Sequence, residues 1–109
     1  MKIQLNTDKN IPGTEKLEAY VTEKINRSLK RFAGRITRIE VHLSDQNAQK
    51  SGSDDMQCKI EARIEGVHPI IVTDRNSTKE KALDSAIDKL KSALDTVTGK
   101  LKDKSPRGW

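Results

Sequence analysis

An α+β domain of order β-α-β-β-β-α, with a four-stranded sheet and both helices on one face of it, is predicted by three features of the chain. Four segments alternate apolar and polar residues with the period of a strand. Two longer segments repeat apolar residues with the period of a helix. Pro12-Gly13, Gly34 and Gly66 sit between them as turn signals. Each strand then has one apolar face and each helix one apolar stripe, so packing both helices on one sheet face buries every stripe and leaves the other face in water. At 109 residues the chain supports one domain. Apolar residues make up 33% and charged residues 34%, so its core is thin.

The elements follow in order. Residues 2–6 place Ile3 and Leu5 on one side of a short strand. Thr14 is the expected N-cap of the first helix, with Glu15 in the favoured first turn. Leu17, Val21, Ile25, Leu29 and Phe32 form its apolar stripe, and Gly34 is its expected stop. In residues 37–44, Ile39, Val41 and Leu43 alternate with Arg38, Glu40, His42 and Ser44. Asp45 to Asp55 is polar throughout and reads as a flexible hairpin loop. Met56, Cys58, Ile60, Ala62 and Ile64 point inward from the next strand, and Pro69 to Asp74 supplies the fourth. Ser77-Thr78-Lys79-Glu80 matches a capping box. The helix that follows carries Leu83, Ala86, Ile87, Leu90, Leu94, Val97 and Leu101 on one stripe. The first strand–helix–strand unit is expected to be a right-handed parallel crossover. Residues 1–104 form the expected domain and 105–109 a flexible basic tail.

Charge is divided unevenly along the chain. Residues 14–38 hold seven Lys/Arg against three Asp/Glu, and residues 75–109 hold nine against five. Residues 39–74 hold three against seven. Basic helices on an acidic body are the pattern expected for a phosphate-rich partner. Within the first helix Tyr20, Lys24, Arg27 and Arg31 fall on one flank, opposite Glu15 and Glu18. Within the second, Asp84, Asp88 and Asp95 lie on one side of Leu90, and Lys89, Lys100, Ser85, Ser92 and Thr96 on the other. Lysines beside small hydroxyls suit a phosphate backbone. A solvated lysine-rich face gives the same pattern. With three aromatics in the chain, a base-stacking sheet of the RRM or OB type is not expected.

No catalytic constellation or metal site is legible, and no cofactor is expected. His42 alternates outward and His68 precedes Pro69 in a turn. Cys58, the only cysteine, faces inward as a small hydrophobe, and one cysteine supports neither an intrachain disulfide nor a Cys-rich zinc site. Asp54-Asp55 lacks metal-ligand spacing. There is no glycine-rich phosphate loop and no apolar run long enough for a membrane span. Met1-Lys2-Ile3-Gln4 does not open a signal peptide, so the expected compartment is the cytoplasm.

Ala82-Leu83-Asp84-Ser85-Ala86-Ile87-Asp88-Lys89-Leu90 resembles the helix signature of the ribosome hibernation promoting factor and ribosome-associated inhibitor A family, also called the sigma-54 modulation family. Thr14-Glu15-x-Leu17 resembles its first helix entry, and the element order matches over residues 1–104. The resemblance implies a layout similar to double-stranded RNA-binding domains and a non-enzymatic factor, monomeric when free. It implies binding to the small ribosomal subunit through rRNA, exclusion of mRNA and tRNA, and silencing of translation under stress. Carried over residue by residue, the RNA-binding set is Lys24, Arg27, Lys30 and Arg31 with Lys89, Lys100 and Lys102. Glu80 replaces the family's usual tyrosine, and Thr96 and Thr98 replace two lysines, which thins the basic surface. Ending at Trp109, the chain corresponds to the short form and is not expected to pair ribosomes through an appended domain. A regulatory protein-interaction module using the mixed charges of the open sheet face is a rival reading, as is a general binder of structured RNA.

Overall fold

The computed structural model describes residues 1–46 and 55–103, the last four of these as backbone only. The order is β1 (Lys2–Thr7), α1 (Glu15–Ser28), a 3-10 turn (Lys30–Phe32), β2 (Ile36–Asp45), β3 (Met56–Ile64), β4 (Ile70–Asn76) and α2 (Lys79–Asp103). The strands line up as β1-β2-β3-β4, with β1 parallel to β2 and the other two pairs antiparallel. Parallel pairing of β1 with β2 requires a crossover, and α1 is that crossover. The predicted fold class and element order are those observed.

Strand alternation divides the side chains. Ile39, Val41 and Leu43 of β2 and Cys58, Ile60, Ala62 and Ile64 of β3 are buried beneath the helices. Leu17, Val21, Ile25, Leu29 and Phe32 meet them from the first helical segment, and Leu83, Ala86, Ile87, Leu90 and Leu94 from α2. Half-buried Val97 ends this stripe, and the Leu101 side chain lies outside the described residues.

Four local features differ from the sequence reading or were not visible in it. The first helix is not continuous to Phe32: α1 ends at Ser28, Leu29 leaves the helical region (φ −109°, ψ 18°), and Lys30–Phe32 forms the 3-10 turn. A tighter turn still buries both Leu29 and Phe32. In β2 the register shifts between Ile36 and Arg38, a bulge at Thr37. Without that extra residue Ile36 would share the outward parity of Arg38; with it, Ile36 is buried. The cap of α2 is Thr78 rather than Ser77, since Thr78 Oγ1 accepts from the Lys81 amide at 3.1 Å and the helix starts at Lys79. Glu80 therefore sits one place too early for a capping box and lies instead 3.5 Å from Lys79 Nζ.

The fourth feature is a clamp at Asp8. Its Oδ1 accepts from the amides of Asn10 (2.9 Å) and Ile11 (3.1 Å), and its Oδ2 accepts from the Asp45 amide (3.0 Å). One carboxylate thus turns the chain after β1, delivers Ile11 to the core and ties the end of β2 to that turn. Thr14 caps α1 as expected, accepting from the Leu17 amide at 3.1 Å. At the far side of the sheet, Gly66 holds the β3–β4 turn with φ +83°, a conformation that side chains with a Cβ disfavour. The Gln46 amide donates to the Asp55 carbonyl (2.8 Å) at the base of the β2–β3 connection, whose residues 47–54 lie outside the described part.

Asp8→Ala strands two or three amides at a half-buried turn and is expected to lower stability by about 1–3 kcal/mol in urea unfolding. Asp8→Asn, which keeps one acceptor oxygen, should lose less. An unchanged midpoint for the alanine variant would show that the clamp carries no stability.

Candidate nucleic-acid interface

The basic flank of α1 is held against α2. Lys24 Nζ lies 2.9 Å from Asp84 Oδ1, and Arg31 donates through Nη2 to Asp95 Oδ1 at 2.5 Å. Asp84 Oδ1 is buried and meets Lys24 without hydrogen-bond alignment, so that contact is ionic. The charge sorting read along each helix therefore has a partner inside the molecule. The basic side of the first helical segment faces the acidic side of the second. The Arg31–Asp95 pair is more than half exposed on both sides and contributes at most about 1 kcal/mol, whereas Lys24–Asp84 is the more covered of the two, with Lys24 25% exposed. The Arg31 guanidinium also lies over the Phe32 ring, 4.5 Å from its centroid, which orients the side chain on an apolar support.

The other predicted contacts are placed differently. Arg27 is 68% exposed and its nearest carboxylate, Glu23 one turn back, is 3.8 Å away. Lys30 is exposed in the 3-10 turn and pairs with no carboxylate among the described residues. Lys89 turns back onto the sheet edge, donating to the Thr73 carbonyl (3.1 Å) and lying 3.6 Å from Asp74. Lys100 and Lys102 stand on the last turns of α2, and their side chains lie outside the described residues. The structure thus brings Lys24 and Arg31 together along the interhelix seam, leaves Arg27 and Lys30 outside it, and sends Lys89 to β4.

Two of the hydroxyls expected beside Lys89, those of Ser85 and Thr96, are also engaged. Ser85 Oγ accepts from Asn76 Nδ2 (3.2 Å), and Thr96 Oγ1 donates to the Ser92 carbonyl (3.1 Å). Thr98 Oγ1 does the same to the Leu94 carbonyl (2.8 Å). A hydroxyl hydrogen given to its own helix is not available to a phosphate oxygen. Sequence pattern places a residue on a helix face, but it does not say which of its hydrogen bonds are already made.

A concavity of about 410 Å³ lies at the Arg31–Asp95 end of this surface, lined by Arg31, Phe32, Arg35 and Thr98. A further open depression, of about 660 Å³, runs along the acidic flank of α1, lined by Glu15, Glu18, Thr22, Glu23 and Asn26. Among the described residues, no group of three or more His, Cys, Asp or Glu is arranged to hold a metal ion. His42 lies on the open sheet face 3.7 Å from Glu40, and His68 is exposed in the β3–β4 turn. Cys58 is fully buried, and desolvation, with the adjacent Asp74 charge, pushes its thiol from 9.0 up to about 12. It is a packing residue and not a nucleophile. No helix among the described residues is long and apolar enough to cross a membrane.

These features define a small α+β domain whose exposed chemistry is charge on helix and sheet surfaces. The chain belongs to the Sigma 54 modulation protein / S30EA ribosomal protein family, whose model matches residues 6–102. Its fold is similar to that of the Thermus thermophilus Protein Y N-terminal domain, with a TM-score of 0.70 and 22% identity over 89% of this chain and 99% of that one. It is also similar to a ribosomal subunit interface protein from Coxiella burnetii, with a TM-score of 0.69 and 18% identity over 91% of this chain and 99% of that one. No curated protein sequence matches the chain.

Native protein is expected to resist iodoacetamide at pH 8 and to label fully once unfolded in urea, because Cys58 is both covered and protonated. Unfolding free energy should fall as pH rises from about 9 toward 12. In that window the unfolded thiol ionises while the folded one does not, so the unfolded state binds fewer protons. Rapid labelling of the folded chain, with Cys58→Ala fully resistant, would show that β3 opens readily.

Proposed function

We propose that this protein is a non-enzymatic, cytoplasmic factor that binds the small ribosomal subunit through rRNA and blocks access of mRNA and tRNA, so lowering translation or promoting ribosome hibernation under stress. The observation that carries the reading is family membership over residues 6–102, in a fold shared with a ribosomal subunit interface protein. Its mechanism is occupancy. A rigid domain presents cations from folded elements, and RNA backbone oxygens meet them.

The helix-side contact set is Lys24, Arg27, Lys30 and Arg31 from the first helical segment, with Lys89, Lys100 and Lys102 from α2. Arg27 and Lys30 are ready to meet phosphate. Lys24 and Arg31 first exchange a carboxylate for a phosphate, which costs little for the exposed Arg31–Asp95 pair and more for the partly covered Lys24–Asp84 pair. Arg31 suits that exchange, since its guanidinium can hold a phosphate through two nitrogens while resting on Phe32. A-form RNA hides its base edges in a deep groove, so shape and backbone charge dominate over sequence.

The test is sedimentation with ribosomes through a sucrose cushion at low and high salt. Salt-sensitive co-pelleting with the small subunit is expected, and six phosphate contacts would give a log–log slope of about −4 to −5. Absence of co-pelleting at low salt would remove the ribosomal reading. Replacing Lys24, Arg27 and Arg31 together with alanine should weaken binding strongly while leaving the fold intact; unchanged binding would exclude this flank. Asp84→Asn with Asp95→Asn should act in the opposite direction and tighten binding at low salt, because Lys24 and Arg31 then meet phosphate without losing a carboxylate.

A further inference from the structure

The open face of the sheet is basic, although the segment that supplies most of it is acidic in sequence. Pairing registers place Lys2, Arg38 and Arg63 in one row across β1, β2 and β3. The next row holds Gln4, Glu40, Glu61 and Ile71, and the one after it Asn6, His42, Lys59 and Thr73. Arg75 stands opposite Gln57 at the far end. Five Lys/Arg thus face two carboxylates. The remaining described acids of residues 39–74 are elsewhere: Asp74 faces the helices beside Lys89, Glu65 lies in the β3–β4 turn, and Asp45 and Asp55 flank the β2–β3 connection.

The arrangement is not that of a face built for solvation alone. Arg38 is directly opposite Arg63, and Glu40 directly opposite Glu61. Like charges in opposed positions destabilise a sheet, and a face selected for stability would oppose unlike ones. Each glutamate is instead taken up by the arginine two residues away on its own strand, Arg38 Nε–Glu40 at 3.0 Å and Arg63 Nε–Glu61 at 3.2 Å. Lys2 and Lys59 have no carboxylate partner among the described residues, and Arg75 Nε donates to the neutral Gln57 Oε1 at 3.1 Å. These three exposed cations cross the sheet from β1 to β4.

We infer that the open sheet face is a second RNA-backbone contact surface, in which Lys2, Lys59 and Arg75 bind phosphates, so that RNA engages the domain on both sides. The inference rests on the ribosome-binding reading above. Charge complementarity selects a polyanion as the occupant. Among the described residues the face carries no Phe, Tyr or Trp, His42 is its one ring, and Ile71 is its one large exposed apolar residue, so the backbone is what it chiefly recognises. On the helix side the cations of the seam already meet carboxylates, whereas on the sheet side none of these three does among the described residues.

The test compares wild-type protein with the triple variant Lys2→Gln, Lys59→Gln, Arg75→Gln in binding to purified small ribosomal subunits between 50 and 200 mM salt, with thermal melts confirming the fold. Affinity is expected to fall about tenfold or more, and the log–log salt slope to shrink by roughly 2, the change expected when three RNA phosphates are no longer neutralised. The charge-conserving variant Lys2→Arg, Lys59→Arg, Arg75→Lys should keep the wild-type slope. If wild type binds but the glutamine variant matches it in affinity and slope, the sheet face is not an RNA surface, while the ribosomal reading stands. If wild type does not bind at all, the ribosomal reading itself fails.

Discussion

The register of β2 is the constraint on which the rest of the structure depends. This strand holds β1 on one side and β3 on the other, and its alternation decides which residues enter the core and which face water. Side chains repeat with a period of two, so a slip of one residue would expose Ile39, Val41 and Leu43 and bury Arg38, Glu40 and His42. Nothing beneath the helices could compensate three polar or charged groups, because the buried layer there is wholly apolar. The bulge at Thr37 and the Asp8 clamp act at the two ends of this strand. One reverses parity so that Ile36 joins the core, and the other closes the last pair at Asp45.

The same alternation redistributes charge in a way that a linear count does not capture. Residues 39–74 are acidic as a string, yet on the open sheet face they contribute Lys59 and Arg63 against Glu40 and Glu61 and are neutral there; Lys2, Arg38 and Arg75, from outside that segment, make the face basic. Conversely, the helices are basic as strings, yet Lys24, Arg31 and Lys89 each lie against a carboxylate. What a partner meets is unpartnered charge.

Much of the fold was legible because it follows from local rules. Two-residue alternation located the strands, the Leu17–Val21–Ile25–Leu29 and Leu83–Ala86–Ile87–Leu90–Leu94 stripes located the helices, and Thr14 read directly as a cap. What escaped depends on contacts distant in sequence. The break at Leu29 lets Phe32 reach the core, and periodicity alone continues the helix through it. Ser77 and Thr78 are chemically equivalent caps; the structure selects Thr78 because β4 runs on to Asn76, whose side chain accepts from the Ser77 amide at 2.8 Å. The candidate site was legible as residue types but not as a surface, since whether a lysine is free depends on a carboxylate some 60 residues away, as with Lys24 and Asp84 or Arg31 and Asp95.

That dependence has a consequence for how tightly such a surface can hold RNA. A cation already paired with a carboxylate gives up that contact when it takes a phosphate, so its net gain is smaller than that of a solvated one. The released carboxylate then remains close to the incoming backbone and repels it. Asp84 and Asp95 therefore act as placeholders. They pair with Lys24 and Arg31 across the seam between α1 and α2 in the free protein and, on the proposed function, would moderate the affinity of the helix side. Lys30, Lys2 and Lys59, with no carboxylate partner among the described residues, would meet no such competition and would carry a larger share of the proposed attraction per residue. Because all of these interactions are electrostatic and lie on exposed side chains, their strength follows ionic strength steeply. If the proposed function holds, such a factor would hold RNA by many simultaneous weak attachments rather than by any single strong one, and would leave when a few of them break.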